Sequence, residues 1–141
     1  MKVSFSWLKE LVEINIGVLE LSERLSIAGF EVEEIIDLSL RAKGLVVGCV
    51  KDVSKHPMAD KLKICKVDVG NEILQIVCGA KNVKKDIHVF VAIEGSYLGA
   101  IDLEIKKSNL RGIKSEGMIC SLGEIGYESK EEGIAVLEDM N

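Results

Sequence analysis

The hydrophobic period of this chain changes once, near residue 44, and that change limits the possible folds more than any other feature. Before it, apolar residues recur at helical spacing; after it, they alternate. No long helical pattern separates the alternating runs. A parallel α/β sheet needs such crossover helices, so it is excluded. Five or more short strands separated by turns build a small barrel or a sandwich instead.

In the first part, residues 2–5 are expected to start a strand, and Ser6 to cap a helix through its hydroxyl. Trp7, Leu8, Leu11 and Val12 follow at helical spacing. A second helix is expected over residues 19–28, with Leu21, Leu25 and Ala28 on one face and Gly29 as C-cap. Phe30, Val32 and Ile35 alternate with Glu31 and Glu33, which suggests a strand. A segment of about forty residues is too small to close a core alone.

In the second part, strands are expected over residues 45–53, 61–69, 73–78, 87–93 and 101–105, with a last one at 134–137. Leu62 and Ile64 share one parity while Cys65, Val67 and Val69 share the other, which places a β-bulge at Ile64 and Cys65. A bent early strand favours closure into a barrel. Gly70-Asn71 reads as a tight turn, and residues 79–82 and 95–99 as loops. Residues 106–109 form a polar stretch leading to Met118-Ile119-Cys120, and residues 123–133 read as turns or a brief helix.

Hydrophobic residues make up 48% of the chain and mean hydropathy is +0.22, enough for a packed core. No apolar run approaches the ~18 residues of a membrane helix, and the N-terminus resembles neither a secretory nor a transit signal. A cytoplasmic protein without membrane partners is expected. Cys49, Cys65, Cys78 and Cys120 form no CxxC pair and lie in apolar runs. They read as structural thiols rather than metal ligands.

The net charge of −5 hides a strong division. Residues 1–40 hold three basic and eight acidic residues, and residues 115–141 hold one and seven. Residues 41–114 hold fourteen basic and eight acidic residues, net +6. A basic block between acidic ends points to a polyanion partner or to a solvated lysine-rich surface. The cations cluster as Lys55, Lys61, Lys63 and Lys66; as Lys81, Lys84 and Lys85; and as Lys106, Lys107, Arg111 and Lys114. Lys61 and Lys63 are expected to point away from the core together, as a row suited to phosphate. Only Phe90 and Tyr97 are aromatic within the block, which argues for reading backbone and shape rather than splayed bases.

No phosphate loop, GxGxxG or GxSxG is present. His56 reads as a turn residue or a phosphate contact, and His88 as a surface residue of its strand; neither shows an acid–base partner. The pairs Glu33-Glu34 and Glu131-Glu132 read as solvated. No catalytic centre is expected.

Four blocks then carry a resemblance: His56-Pro57-Met58-Ala59-Asp60-Lys61-Leu62, Ile64-Cys65-Lys66-Val67-Asp68-Val69-Gly70, residues 75–83 around Cys78-Gly79-Ala80-Lys81-Asn82, and Leu110-Arg111-Gly112-Ile113-Lys114-Ser115-Glu116-Gly117-Met118. They resemble the tRNA-binding domain family, an oligonucleotide-binding-fold (OB-fold) barrel found in several aminoacyl-tRNA synthetases and in free-standing tRNA-binding dimers. Residues 1–12 and Ile27-Ala28-Gly29-Phe30-Glu31-Val32-Glu33 resemble the start of the beta-subunit family of bacterial phenylalanyl-tRNA synthetases.

The resemblance implies a mainly β chain. An incomplete α+β segment over residues 1–38 would be completed by later chain, and a five-stranded OB-fold barrel would span residues 39–141. It implies a parent ligase that joins phenylalanine to tRNA with ATP and magnesium, assembled from two alpha and two beta subunits. This segment would carry tRNA-docking residues but no cofactor and no metal. Carried over by motif, the tRNA contacts would be Lys55, His56, Lys61, Lys81, Asn82, Arg111, Ser115 and Met118, with Lys63, Lys106, Lys107 and Lys114 added from the basic clusters. Lys81 stands where the family pattern has proline, which adds a positive charge. The competing expectations are an assembly module of the synthetase that touches RNA little and a free-standing tRNA-binding dimer.

Overall fold

The computed structural model describes residues 1–38, 41–130 and 132–140. The chain divides into two compact units, Met1–Asp37 and Leu38–Asn141. Residue 39, the expected start of the barrel segment, and Glu131 of the acidic pair lie outside the described residues.

The first unit holds two helices, α1 (Phe5–Leu11) and α2 (Val18–Ile27). The expected strand over residues 2–5 is absent, because the helix begins at Phe5. Ser4, not Ser6, is the N-cap: its backbone is extended and its hydroxyl accepts from the Trp7 N–H at 3.4 Å. Gly29, at a φ of +91°, ends α2, and the Phe30 N–H reaches back to the Leu25 carbonyl. Phe30, Val32 and Ile35 form no strand, since no neighbouring strand offers a ladder. No residue of this unit is fully buried, and Trp7, Leu11, Ile27 and Phe30 stand exposed.

The second unit is built on a sheet. Its strands are β1 (Ala42–Lys55), β2 (Lys63–Asp68), β3 (Ile73–Cys78), β4 (His88–Leu98), β5 (Leu103–Glu104), β6 (Ser108–Leu110), β7 (Ile113–Ser115) and β8 (Gly117–Ile119). The antiparallel order is β3-β2-β1-β4, with β8 and then β5 along the other edge of β4, while β6 and β7 pair as a hairpin. Strands β1 to β4 with β8 make the five-stranded OB-fold barrel.

Strand alternation decides the interior. Val50, Cys65, Val67, Leu74, Ile76, Val89, Val91 and Ile119 fill the barrel. The outer face of β4 is also covered: Ala92 and Leu98 pack with Ile105, Cys120 and Ile125 in a second cluster. Gly48 lies on the inner file of β1, and a Cβ there would come within 2.6 Å of Val67. Its missing side chain lets the strands approach closely. Burial pushes the Cys65 and Cys120 thiols up to about 12 and raises Cys78 as well, so these three are structural and unreactive.

Two expectations move. The bulge is not at Ile64 and Cys65, because β2 pairs with β3 without interruption. The irregularities lie at Val50/Asp52, where β1 carries the extra residue against β2, and at Lys43/Leu45, where the extra residues are those of β4 between Ala92 and Tyr97. The expected loop at residues 95–99 is instead largely strand: β4 runs on through Gly95, and the Ser96 hydroxyl donates to the Gly44 carbonyl at 2.8 Å.

The seam between β3 and the segment leading into β8 closes the barrel. The Glu116 N–H donates to the Gln75 carbonyl at 2.8 Å, and the Gln75 N–H donates to the Glu116 carboxylate at 3.2 Å. The Ser115 hydroxyl accepts from the Val77 N–H at 3.1 Å and donates to the Gly117 carbonyl. The C-terminal segment then straps the barrel. Val136 bridges to Val89, and a 3₁₀ turn at Leu137–Asp139 sets Glu138 beside His88. Both oxygens of Glu138 accept from the His88 backbone, and one takes the His88 Nδ1 hydrogen bond at 2.5 Å.

Ser115→Ala is expected to orphan the Val77 N–H and cost about 1–3 kcal/mol, measurable by urea unfolding. The His88 contacts hold Glu138 below the usual carboxylate range. Its stabilising contribution is therefore complete above that range and is lost as pH falls through the depressed value. Thermal midpoints recorded from neutral pH down to about pH 3 should fall less steeply in Glu138→Gln than in the parent chain.

Candidate nucleic-acid interface

The register of three strands gathers the basic loops. Lys55 at the end of β1 pairs with Lys63 at the start of β2, and Lys63 pairs with Cys78 at the end of β3. Loops 56–62 and 79–87 therefore leave the same end of the sheet. The β6–β7 hairpin brings its tip to the first of these loops.

His56 makes that junction. It is only 4% exposed. Its Nδ1 accepts from the Met58 N–H at 3.1 Å, and its Nε2 lies 3.0 Å from the Leu110 carbonyl. The ring is thus the neutral tautomer with hydrogen on Nε2, since Nδ1 must keep its lone pair. The hairpin answers from the other side: Arg111 Nη1 donates to the Met58 carbonyl at 3.4 Å. Arg111 and Gly112 both have positive φ, 51° and 83°, the conformation of a type I′ hairpin turn. The Met58 backbone is held at both ends, while its side chain is 71% exposed. Lys55 and Lys61 are exposed beside it, and among the described residues neither has a carboxylate partner.

The second loop is anchored as firmly. Lys63 shares the inner file of Cys65 and Val67 rather than an outward row, which corrects its expected direction, and Lys61 lies in a turn before the strand. The Lys63 ammonium donates to the carbonyls of Lys81 and Val83, each at 3.1 Å. The Asn82 amide binds the Ile134 backbone twice, donating at 2.9 Å and accepting at 3.1 Å. The side chains of Lys81, Lys84 and Lys85 stand exposed on this fixed loop.

The remaining expected site residues are placed otherwise. Lys106 meets Glu104 at 3.6 Å, Lys107 meets Glu94 at 3.0 Å and Lys114 meets Glu116 at 2.9 Å. Glu94 raises the Lys107 pKa, and Lys114 lowers that of Glu116. Ser115 is 2% exposed and spent on the seam, and Met118 is half-buried against the second core cluster. Sequence reasoning missed the exposed Met58, since a methionine in a loop carries no charge signal.

The fold and the cationic rim define an RNA-binding barrel. The tRNA binding domain family model matches residues 45–141, and the chain belongs to that family. Over its full length the chain is similar to phenylalanine–tRNA ligase beta subunits. It is 61% identical over 142 residues to that of one strain of Prochlorococcus marinus, covering 100% of this chain and 17% of that protein. It is 56% identical over 142 residues to that of a Synechococcus species, covering 100% of this chain and 18% of that protein. The chain thus spans less than a fifth of the length of these curated relatives. Among solved structures it is similar to the C-terminal domain of Plasmodium vivax p43, with 29% identity and a TM-score of 0.49, covering 72% of this chain and 55% of that one.

Lys63→Met keeps the aliphatic stem but strands the Lys81 and Val83 carbonyls. Faster amide exchange over residues 79–86 and a stability loss of about 1–3 kcal/mol are expected.

Proposed function

We propose that the barrel binds tRNA through the rim formed by Lys55, Lys61 and Arg111, with the Lys81, Lys84 and Lys85 loop beside it. One observation carries this reading: the rim cations have no carboxylate partner among the described residues, whereas Lys106, Lys107 and Lys114 do. Free cations spaced over a fixed surface suit phosphates, and binding then releases counterions. His56, Lys63, Asn82 and Ser115 serve as the scaffold of that surface and leave phosphate contact to the exposed cations. Few aromatic side chains are available, so the barrel reads mainly the backbone and shape of a folded RNA.

The chain acts as the tRNA-docking part of a phenylalanine–tRNA ligase beta subunit. The whole enzyme attaches phenylalanine to tRNA with ATP and magnesium, in the cytoplasm, as an assembly of two alpha and two beta subunits. Residues 1–38 would belong to a domain completed by later chain, which suits their lack of a buried core. Among the described residues no three His, Cys, Asp or Glu side chains come together as a metal set. No catalytic step is assigned to these residues. Among the described residues no helix is long and apolar enough to cross a membrane.

The neutralised lysines favour a second reading, in which the barrel mainly positions parts of the synthetase. Salt dependence separates the two. If the rim neutralises about four phosphates, log K falls with log salt at a slope of roughly −3. Lys61→Ala should reduce the slope by about 1, and so should Arg111→Asn, which keeps a residue suited to the type I′ turn. A slope near zero, or full-length enzyme whose tRNA affinity is unmoved by both changes together, would sink the docking reading in favour of assembly.

A further inference from the structure

We infer that Met58 supplies a non-ionic contact to an unpaired nucleobase of the bound RNA, so that the rim discriminates looped from fully paired RNA. The inference rests on the proposed binding of tRNA at this rim. Met58 is 71% exposed at the tip of a loop, so its side chain is open to a partner. Its backbone is nevertheless fixed on both sides, by His56 Nδ1 at its N–H and by Arg111 at its carbonyl. The preceding Pro57 stiffens the loop further, and the His56 N–H donates to the Leu62 carbonyl across its base at 3.1 Å. The loop is thus ordered before any partner arrives, which removes much of the ordering cost of binding.

The neighbours of Met58 suit a base rather than an apolar protein surface. Arg111 contacts its carbonyl, and the exposed Lys55 and Lys61 flank the same loop, cations that would engage the phosphates on either side of an extruded nucleotide. Its thioether is polarisable and makes favourable contacts with aromatic rings, and every base offers such a face. No aromatic side chain lies in loop 56–62 or at the hairpin tip 110–113 to do this instead. In a paired duplex the base faces are stacked away, so the contact exists only where a loop or bulge exposes one.

The test compares two RNAs of equal length, a hairpin with an open loop and a blunt duplex, in anisotropy titrations of the full chain across a range of salt. Met58→Ala is expected to weaken hairpin binding about three- to tenfold at every salt concentration. The salt slope should stay unchanged, duplex binding should not move, and Met58→Leu should recover most of the loss. An unchanged thermal midpoint would show that the loop still folds. Equal losses on both RNAs, or none on the hairpin, would overturn the inference while leaving the cationic rim intact. A parent chain whose binding is indifferent to salt would overturn the docking reading and this inference together.

Discussion

Everything in the second unit depends on how β3 finds a partner at the seam. An open edge of this curled sheet would leave its backbone groups unpaired and its core uncovered. Strand β8 is only three residues long and already pairs with β4, so the preceding residues must reach across. They do so largely with side chains: the Ser115 hydroxyl and the Glu116 carboxylate take the Val77 and Gln75 N–H groups, and one backbone bond joins them. This mixed seam closes the barrel over the inner file of Val67, Cys65 and Ile76. It also fixes where the β6–β7 hairpin emerges, and hence where its tip can meet His56.

The hairpin tip and loop 56–62 then form one surface with divided labour. His56 and the Arg111 guanidinium hold backbone, and Lys63 and Asn82 do the same for the neighbouring loop. The exposed Lys55, Lys61, Lys81, Lys84 and Lys85 have no carboxylate partner among the described residues. Arg111 belongs to both groups, because a long guanidinium can donate to a carbonyl and still face solvent. Elsewhere Lys51, Lys106, Lys107 and Lys114 are held by carboxylates.

Much of this was legible from alternation and turn chemistry. Strand β3, the run from Val89 to Val91, the helix around Trp7 to Leu11 and the Gly29 terminus fall where periodicity places them. The failures have particular causes. Ser4 and Ser6 are equally good caps in composition, and only the extended backbone at Ser4 chooses between them. Gly95 reads as a breaker, yet β4 runs on through it: the Gly95 N–H donates to the Ile105 carbonyl, and pairing with β1 resumes at Tyr97. The parity slip between Ile64 and Cys65 resembles a bulge, but Leu62 lies outside the strand, so no slip within β2 has to be accommodated.

The sequence by itself determined the class of fold, the family and the presence of a basic block, because hydrophobic period, motif spacing and charge are local properties. Tertiary structure decided which of the twelve expected contact residues face outward. Lys63, Ser115 and Asn82 each meet backbone groups distant in sequence: Val83 for Lys63, Val77 for Ser115 and Ile134 for Asn82. Burial and hydrogen-bond partnership arise from contacts between residues far apart in the chain, and no local pattern records them. The change of period at residue 44 announces the barrel, but only its closure shows which cations remain free for a partner.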